Sequence, residues 1–295
     1  MTTTQDAAEP NRPLVAMDAQ KAQELILAST NKPHEGRVYD FYMGGTANYA
    51  IDREFAKQQI ARVPTIPWAC VQNRQFLLRM VRYMTKQGIR QFIDIGAGLP
   101  TQGATHEICE QQAPGECTVV YVDHDPVAIA HSVLLLEHND MLGRHVPILG
   151  DIRDYNQLWD GVLESGRIDP TQPIGLLVNA LLHFMPDKRE PYAVIEWFRD
   201  VLPSGSYLGL SHVSYDGMSE EARAAFAAVL ADYDKATSPA CARSRNELMP
   251  FFGDFDLVEP GLDWVASWDP AHEQPNLAGA DPTQSLFLGG LARKP

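Results

Sequence analysis

The chain has 295 residues, of which 45% are hydrophobic, and a formal net charge of −14. This length suits one large α/β domain with additions, and the acidic balance argues against a nucleic-acid partner, whose phosphates need a basic surface. No apolar run approaches the length of a bilayer span, and the first residues lack the features of a signal peptide, so we expect no membrane partner. Four scattered cysteines without metal-ligand spacing predict a cytoplasmic protein with reduced thiols and no metal site.

The first part of the chain predicts a helical region ahead of the main domain. Residues 1–13 are small and polar, which is typical of a disordered tail. Residues 14–88 are expected to form a helical N-terminal cap, with helices over Leu14–Ser29 and Trp68–Lys86 and a tyrosine- and glycine-rich loop between them. Residues 89–295 would then form the main domain.

From residue 89 onward, strand-like and helix-like segments alternate, which predicts a parallel sheet covered on both faces. The predicted strands are Gln91–Ile95, Thr118–Val122, Val146–Leu149, Ile174–Val178 and Ser206–Leu210. The helices between them are Gln102–Gln112, Val127–His138, Tyr155–Ser165 and Tyr192–Val201.

The pattern changes after the fifth strand. Helix-like segments at Glu220–Ala231 and Ser244–Phe252 precede two strand-like runs, Phe255–Glu259 and Ser285–Leu291. No helix separates these two runs, so we expect an antiparallel hairpin at the edge of the sheet. Five strand–helix units closed by such a hairpin are the plan of the Rossmann-like methyltransferases, with a seven-stranded, mostly parallel sheet.

The glycine loop after the first predicted strand reads GAGLPT and begins at Gly96. In open parallel sheets this loop faces the ligand. A dinucleotide-binding loop would have a third glycine where Thr101 stands, and Pro100 has no amide hydrogen to donate to a phosphate. S-adenosylmethionine (SAM) carries a sulfonium and an ammonium group but no phosphate, so the loop, with Gly96 and Gly98, favours SAM over NAD.

Acidic residues lie at or just beyond the ends of three successive predicted strands. Asp94 would attract the cationic methionine end of SAM, Asp123 would accept both ribose hydroxyls, and Asp151 would accept the adenine amino group. Ile152 would offer its backbone amide to the adenine ring, and His124 would flank that ring. Taken singly, each acid is as typical of a helix N-cap or a loop as of a cofactor site. Three acids in register at strand ends favour a cofactor site.

The fourth and fifth strands end in candidate catalytic residues. Asn179 and Ala180 fall where oxygen atoms would take the ammonium group of the cofactor. His183 is the first candidate base because its unperturbed pKa lies near neutrality, although a helix-start histidine bonded to backbone is an equal alternative. His212 at the end of the fifth strand and Tyr39 in the N-terminal block are further candidates.

Five segments together resemble a bacterial family of SAM-dependent methyltransferases formerly catalogued as a domain of unknown function. They are GRVYDFYMGGTANYAIDRE, IRQFIDIGAGLPTQGATHE, VVYVDHDPVAIAH, LLHFMPD and GSYLGLSH. The similarity runs from about Pro33 to Lys294. The resemblance implies a class I methyltransferase fold, SAM as the cofactor and a helical N-terminal cap over the site.

The resemblance also implies which residues contact the cofactor. The set from the main domain is Asp94, Gly96, Gly98, Asp123, Asp151 and Asn179, and the N-terminal block adds Arg37, Tyr39, Tyr42, Gly44, Gly45 and Asn48. Arg37 or Arg53 would bind the SAM carboxylate. The chain departs from the family pattern at Thr46-Ala47-Asn48-Tyr49, where Lys-Asp-Asn-Phe is usual, and at Asn179, where an apolar residue is common. If this block lines the acceptor site, the first departure predicts a substrate different from that of relatives, and the second weakens the assignment of Asn179 to the cofactor.

The leading interpretation is methyl transfer to a small-molecule acceptor in secondary metabolism, with nitrogen, oxygen or carbon as the acceptor atom. An aromatic wall would hold the acceptor, although its two tryptophans are equally typical of loop anchors; its members are Tyr39, Tyr42, Phe184, Trp264 and Trp268. A SAM-binding sensor or structural protein without catalysis is the main alternative, and an NAD(P)-dependent oxidoreductase is a third. The sequence leaves open whether the protein is a homo-oligomer.

Overall fold

The computed structural model describes residues 19–28, 30–99, 103–236, 238–270 and 281–295. The tail at residues 1–13, the predicted helix start at Leu14, and Pro100 and Thr101 of the glycine loop lie outside these ranges. The described helices are α1 (Ala19–Ala28), α2 (Glu35–Tyr42), α3 (Ala50–Arg62), α4 (Ile66–Lys86), α5 (Thr105–Gln112), α6 (Pro126–His138), α7 (Tyr155–Glu164), α8 (Pro191–Val201), α9 (Glu220–Ala236) and α10 (Arg245–Leu248). The described strands are β1 (Gln91–Ile95), β2 (Thr118–Asp123), β3 (His145–Leu149), β4 (Gly175–Asn179), β5 (Tyr207–Val213), β6 (Asp256–Leu257), β7 (Asp263–Trp264) and β8 (Phe287–Arg293).

The strands form one mixed sheet in the order β3-β2-β1-β4-β5-β8-β6, with β7 also paired to β8. Strands β1 to β5 are parallel, and β8 runs antiparallel to β5. The predicted α/β fold with a mostly parallel sheet is confirmed. The predicted antiparallel pairing of the last two runs is also confirmed, because β6 pairs antiparallel with β8 at this end of the sheet. The sequence did not show the short strand β7, which pairs with the same side of β8. Strand β8 is buried along nearly its whole length, so it needs neighbours on both sides.

Alternation along the strands divides the core into two layers. In β1, Phe92 faces the layer that contains α4, and Ile93 faces the layer that contains α7 and α8. Helix α4 packs so closely on the sheet that glycine is needed beneath it. A Cβ atom on Gly209 would lie 2.7 Å from Met80 Sδ, and one on Gly289 would lie 2.7 Å from Phe76 Cε1. The sequence analysis places α4 in the N-terminal cap, but in the structure this helix packs directly on the sheet. The division of the chain at residue 88 stays a prediction.

The other N-terminal helices lie towards the carboxyl ends of the parallel strands. Helix α1 packs on α6, where Ala22 and Ile26 contact Val127 and Ala130. The turn before α2 is tied to the turn before α6 by a hydrogen bond of 2.5 Å between His34 Nε2 and Asp125 Oδ2. None of the described helices is both long and apolar enough to span a membrane.

Candidate active site

A cavity of about 230 Å³ lies between the carboxyl ends of the strands and the N-terminal helices. Its floor is formed by the loop after β1 and by the ends of β2, β3 and β4, as expected for an open α/β sheet. Helices α2, α4 and α9 and the start of β8 supply the remaining walls. The cavity therefore depends on parts of the chain more than 200 residues apart.

The glycine loop has a backbone that favours glycine. Gly96 and Gly98 have φ angles of +72° and +61°, in the left-handed region. A Cβ atom on Gly96 would also lie 2.8 Å from Leu181 Cδ1, so this position needs glycine for space as well. The amide of Gly98 donates a hydrogen bond of 2.9 Å to Asp123 Oδ2, which holds the loop against the end of β2.

Asp123 organises this end of the cavity. Its Oδ1 atom accepts a hydrogen bond of 2.9 Å from the amide of Asp125, and its side chain is largely buried. Each carboxylate oxygen therefore has one backbone donor and keeps a lone pair for a further partner. His124 Nδ1 lies 3.4 Å from Asp123 Oδ1, and this contact raises the pKa of His124. Both residues line the cavity, where the sequence predicts the ribose beside Asp123 and the adenine beside His124.

Asp94 lies deeper, behind the glycine loop. Its Oδ2 accepts a hydrogen bond of 2.7 Å from Thr105 Oγ1. Burial raises the pKa of Asp94 to about 6, although the bond from Thr105 partly opposes this shift. A cationic group bound nearby would favour the ionised form, as predicted for the methionine end of SAM.

Asp151 and Ile152 also line the cavity. Burial alone would raise the pKa of Asp151, but hydrogen bonds from the Arg153 side chain and amide hold it below its usual value. The Asp151 carboxylate is thus already paired with Arg153, so an adenine amino group would have to share it.

The end of β4 contains buried polar atoms that lack partners. Oδ1 and Nδ2 of Asn179 are both buried and form no hydrogen bond in the described part of the chain. The next residue, Ala180, has a φ of +50°, and its amide donates to Ser211 Oγ at 3.0 Å. Because buried polar groups are normally satisfied, Asn179 fits a site that is completed by a polar ligand.

His183 lines the cavity beyond Asn179 and is 8% exposed. Its Nδ1 is buried without a hydrogen-bond partner among the described residues. Burial, reinforced by the nearby His212 and Arg243, holds the pKa of His183 well below its ordinary value. His183 is therefore neutral at physiological pH and can accept a hydrogen bond.

The assignment of His212 as a catalytic candidate is revised. His212 is fully buried and is not on the cavity wall. Its Nδ1 lies 2.7 Å from the carbonyl of Val213, and Arg243 Nη1 donates to its Nε2 at 2.8 Å. Because both ring nitrogens form hydrogen bonds within the protein, His212 has a structural role next to the cavity.

The N-terminal block separates into two sets. Tyr39 and Tyr42 line the cavity as predicted. Tyr39 Oη donates to the carbonyl of Cys70 at 2.9 Å and accepts from Asn73 Nδ2 at 3.1 Å. Burial raises the pKa of both tyrosines, so they act as neutral walls and hydrogen-bonding groups. A role for Tyr39 as a base is not supported by this environment.

Four other predicted cofactor residues in this block lie off the cavity wall, namely Arg37, Gly44, Gly45 and Asn48. Arg37 is fully buried, and its Nε donates to Asp52 Oδ2 at 2.7 Å. Asn48 Nδ2 donates to Asp40 Oδ2 at 2.8 Å, and a Cβ atom on Gly45 would lie 2.1 Å from Asp40 Oδ1. These residues shape the cap, so their assignment to the cofactor is revised.

Arg53 is likewise engaged with Asn48, to whose carbonyl it donates at 2.7 Å. Neither of the arginines predicted to bind the SAM carboxylate is on the cavity wall. Arg74 of α4 is on that wall, and it forms no ion pair among the described residues. Its guanidinium carbon lies 5.7 Å from the Tyr39 ring centroid. The apolar periodicity of α4 predicts its buried face but does not indicate that Arg74 lines a cavity.

The aromatic wall differs in part from the predicted one. Phe184 is on it, whereas Trp264 and Trp268 are not. Trp268 is fully buried against Phe76, at a ring-centroid distance of 5.0 Å, and acts as a loop anchor. The residues that the sequence did not identify are Phe226, Val229, Leu230 and Tyr233 of α9, and Leu286 and Phe287. The four from α9 recur at helical spacing, a signal that could have identified a face but not its partner.

Comparison with known proteins identifies the family. Residues 19–295 match the model of a family described as S-adenosyl methyltransferase. The chain belongs to this family. A Streptomyces coelicolor protein provisionally named an S-adenosyl-L-methionine-dependent methyltransferase is 34% identical over 116 residues, which are 39% of this chain and 35% of that protein.

Two crystal structures of other proteins are similar to this structure over most of the chain. A DUF574 family protein from Streptomyces avermitilis is 32% identical with a TM-score of 0.81, covering 90% of this chain and 99% of its own. A protein from Thermobifida fusca, provisionally named a methyltransferase, is 30% identical with a TM-score of 0.80, covering 90% and 96%. Family membership makes SAM the cofactor. The residues of the cavity fit this molecule, because the unpartnered Asn179 amide and Asp94 suit its ammonium group and Asp123 suits its ribose.

Proposed function

We propose that this protein transfers a methyl group from SAM to a small-molecule acceptor. The observation that supports this function is the contrast between the two ends of the cavity. One end is lined by Asp94, Asp123 and Asp151, and the other is lined by aromatic and apolar side chains from α2, α9 and β8. A charged cofactor with an apolar neighbour would match this division.

In this proposal the chain's own residues hold SAM at the acidic end. Asp123 would accept the ribose hydroxyls, while Asp94 and the Asn179 amide would face the methionine ammonium group. Ile152 and His124 would border the adenine. When bound, SAM supplies a methyl group activated by its sulfonium sulfur.

The apolar end would place the acceptor and exclude water. Methyl transfer is an in-line displacement, so the main contribution of the protein is to fix the acceptor atom and the methyl carbon in line. Tyr42, Phe184 and Tyr233 offer rigid surfaces for that purpose, and His183 offers a neutral nitrogen. This apolar space beside the cofactor residues favours catalysis over a protein that only senses SAM.

Calorimetric titration of SAM, S-adenosylhomocysteine (SAH) and NAD into the purified protein tests the proposal. We expect SAM and SAH to bind with micromolar affinity and NAD to bind much more weakly. Asp123→Ala should abolish binding because it removes the ribose acceptor and the hydrogen bond to Gly98. Asp160→Ala, on the exposed side of α7, is the matched control and should bind normally.

Binding alone does not separate an enzyme from a sensor. A second measurement therefore follows SAH release during incubation with SAM and panels of small hydroxyl, amine and carbon acceptors. SAM binding without transfer to any panel would favour the sensor, and a folded protein that binds neither SAM nor SAH would overturn the proposal. Placement in secondary metabolism and a cytoplasmic location stay predictions.

A further inference from the structure

A group of rings gathers at the apolar end of the cavity; we call it the acceptor chamber and define it as His183, Phe184, Phe226, Tyr233 and Phe287. The His183 ring centroid lies 4.2 Å from that of Phe184 and 6.1 Å from that of Phe287. The ring centroids of Phe184 and Tyr233 lie 6.0 Å apart. Such spacings are typical of packed aromatic clusters, and their faces and edges suit another flat ring.

The charges around the chamber are positive on the side of His183. Arg243 is buried behind the loop that holds His183 and Phe184, where it donates to the carbonyls of Leu182 and Met185. Arg189 lines the cavity and donates to the carbonyl of Phe184 at 3.0 Å. A cationic acceptor placed beside His183 would meet both guanidinium groups.

Acidic groups lie elsewhere on the described wall. Asp94, Asp123 and Asp151 belong to the ends of β1, β2 and β3. Asp187 pairs with Arg243, but its side chain is 80% exposed and is not on the cavity wall. Glu35 of α2 is the lining acid whose charge reaches Tyr233, and it also acts on His124. The His183 side of the chamber therefore has no carboxylate among the described residues.

His183 has a ring nitrogen that forms no hydrogen bond with any described residue. More than nine-tenths of the residue is buried, and Nδ1 has no partner within the described ranges. Leaving a buried acceptor unsatisfied is costly, so a ligand that brings an O–H or N–H donor would gain from this nitrogen. A flat, uncharged ring with one such donor would satisfy both the chamber and His183.

We infer that the acceptor is an uncharged ring compound bearing a weakly acidic hydroxyl, of the phenol or enol class, and that the methyl group is accepted on that oxygen. This inference rests on the proposed function and narrows it. The rings of the acceptor chamber hold the acceptor, His183 accepts its hydroxyl hydrogen bond, and the two arginines disfavour an ammonium group at the same place.

The transfer balances with the groups present. The bond between the acceptor oxygen and the methyl carbon forms while the sulfur–methyl bond breaks, and the electron pair of that bond stays on sulfur. The hydroxyl proton passes to the neutral imidazole of His183. A histidine with a low pKa is a weak base towards a free phenol, but the proton becomes strongly acidic as the new bond forms, so a weak base suffices.

The test uses four naphthalene probes of one shape, titrated by their fluorescence into protein saturated with SAH. They are 2-naphthol, 2-methoxynaphthalene without a donor, anionic 2-naphthoate and cationic 2-naphthylmethylammonium. We expect 2-naphthol to bind most tightly, the methoxy compound several-fold more weakly and the cation roughly tenfold more weakly. With SAM in place of SAH, release of SAH should accompany 2-naphthol and not the cation.

Two variants locate the effect. His183→Phe keeps a ring and removes the nitrogens, so the preference for 2-naphthol over its methoxy analogue should disappear. His138→Phe makes the same exchange at an exposed histidine at the end of α6, off the cavity wall, and the preference should remain.

The inference is overturned if the cation binds as tightly as 2-naphthol, if none of the probes binds to SAH-loaded protein, or if His183→Phe keeps the preference. Failure of the proposed function is distinguished at the start, because SAH binding is measured before any probe is added. An SAH-binding protein that selects the cation would keep the methyltransferase proposal and assign the chamber to amines.

Discussion

Arg74 lies on the cavity wall, where its charge acts on Asp94. The methionine end of SAM carries a carboxylate as well as an ammonium group, and this arginine is the side chain of α4 that could pair with the carboxylate. We propose Arg74 for that role in place of Arg37 and Arg53, because both of these are occupied by other residues. Arginine suits the task because its guanidinium binds carboxylates through two parallel hydrogen bonds.

Replacing Arg74→Gln should weaken SAH binding by roughly tenfold to a hundredfold, because a charge-assisted pair is lost. Binding of 5′-methylthioadenosine, which has no carboxylate, should stay close to that of the unchanged protein. Calorimetry with the two ligands checks this expectation. Equal losses for both ligands would mean that Arg74 shapes the cavity and does not recognise the carboxylate.

Asp94 gives cofactor affinity a dependence on pH. Burial raises the pKa of this carboxyl to about 6, so in the free protein it takes up a proton as the pH falls through that value. A bound ammonium group favours the ionised form and lowers the pKa, so binding releases a proton below pH 6. SAH affinity should therefore fall with decreasing pH, by up to about tenfold per unit.

Calorimetry between pH 5 and 8 in buffers of different ionisation enthalpy would measure both the affinity and the proton release. Asp94→Asn cannot ionise and should bind weakly with a flatter profile. If the variant kept the full pH dependence, the titration would belong to another group, such as His124, whose pKa is raised by Asp123.

At the scale of elements, α2 and α3 are joined by a buried ion pair. The Arg37 and Asp52 side chains are both fully buried, with 2.7 Å between Nε and Oδ2. Asp52 also accepts hydrogen bonds from the amides of His34 and Tyr49, so one carboxylate fixes the turns before both helices. The arginine expected to bind cofactor thus has a structural function.

Arg37→Met should lower the free energy of unfolding by about 3 kcal/mol, because it leaves the Asp52 carboxylate buried without its cation. Arg62→Met is the control, since Arg62 pairs with Asp232 at the same distance of 2.7 Å but is 39% exposed. That change should cost less than about 1 kcal/mol. Chemical denaturation measures both, and similar losses in the two variants would contradict the prediction.

The elements also show why the sequence predicted one half of the site better than the other. Asp94, Asp123 and Asp151 all reach the cavity because the ends of parallel strands meet at one edge, and apolar patterns reveal where the strands end. Tyr233 and Phe226 reach it through tertiary packing of α9, which no local pattern specifies. Arg37 illustrates the opposite case, since its partner Asp52 lies in a separate helix and a charge pattern cannot show which arginine is buried.

For the whole molecule, the contact between His34 and Asp125 connects the N-terminal helices to the sheet domain. His34 Nδ1 accepts from the amide of Gly36, so Nε2 is the nitrogen that donates to Asp125. Asp125 also accepts at the first turn of α6 from the amide of Val127. Both residues lie on the cavity wall, so the contact closes the side of the site near His124.

His34→Ala should accelerate dissociation of SAH several-fold, because the wall formed by α2 is no longer fixed to α6. Stopped-flow displacement gives the rate, and hydrogen exchange should show faster opening of residues 35–42 than of β1. Glu54→Ala on α3 serves as the control, because this residue is not on the cavity wall. An unchanged dissociation rate with faster exchange would mean that the cofactor leaves by another side.

The inward position of β8 has a consequence for synthesis of the protein. Tyr207–Val213 pairs along its whole length with Phe287–Arg293, although about 75 residues separate them in the chain. During translation the first five strands can assemble while one side of β5 still exposes unpaired backbone groups. Unpaired strand edges promote association between chains. Until Phe287–Arg293 pairs with it, this side of β5 is such an edge, so a chain without β8 in place has a sheet that is open to association with other chains.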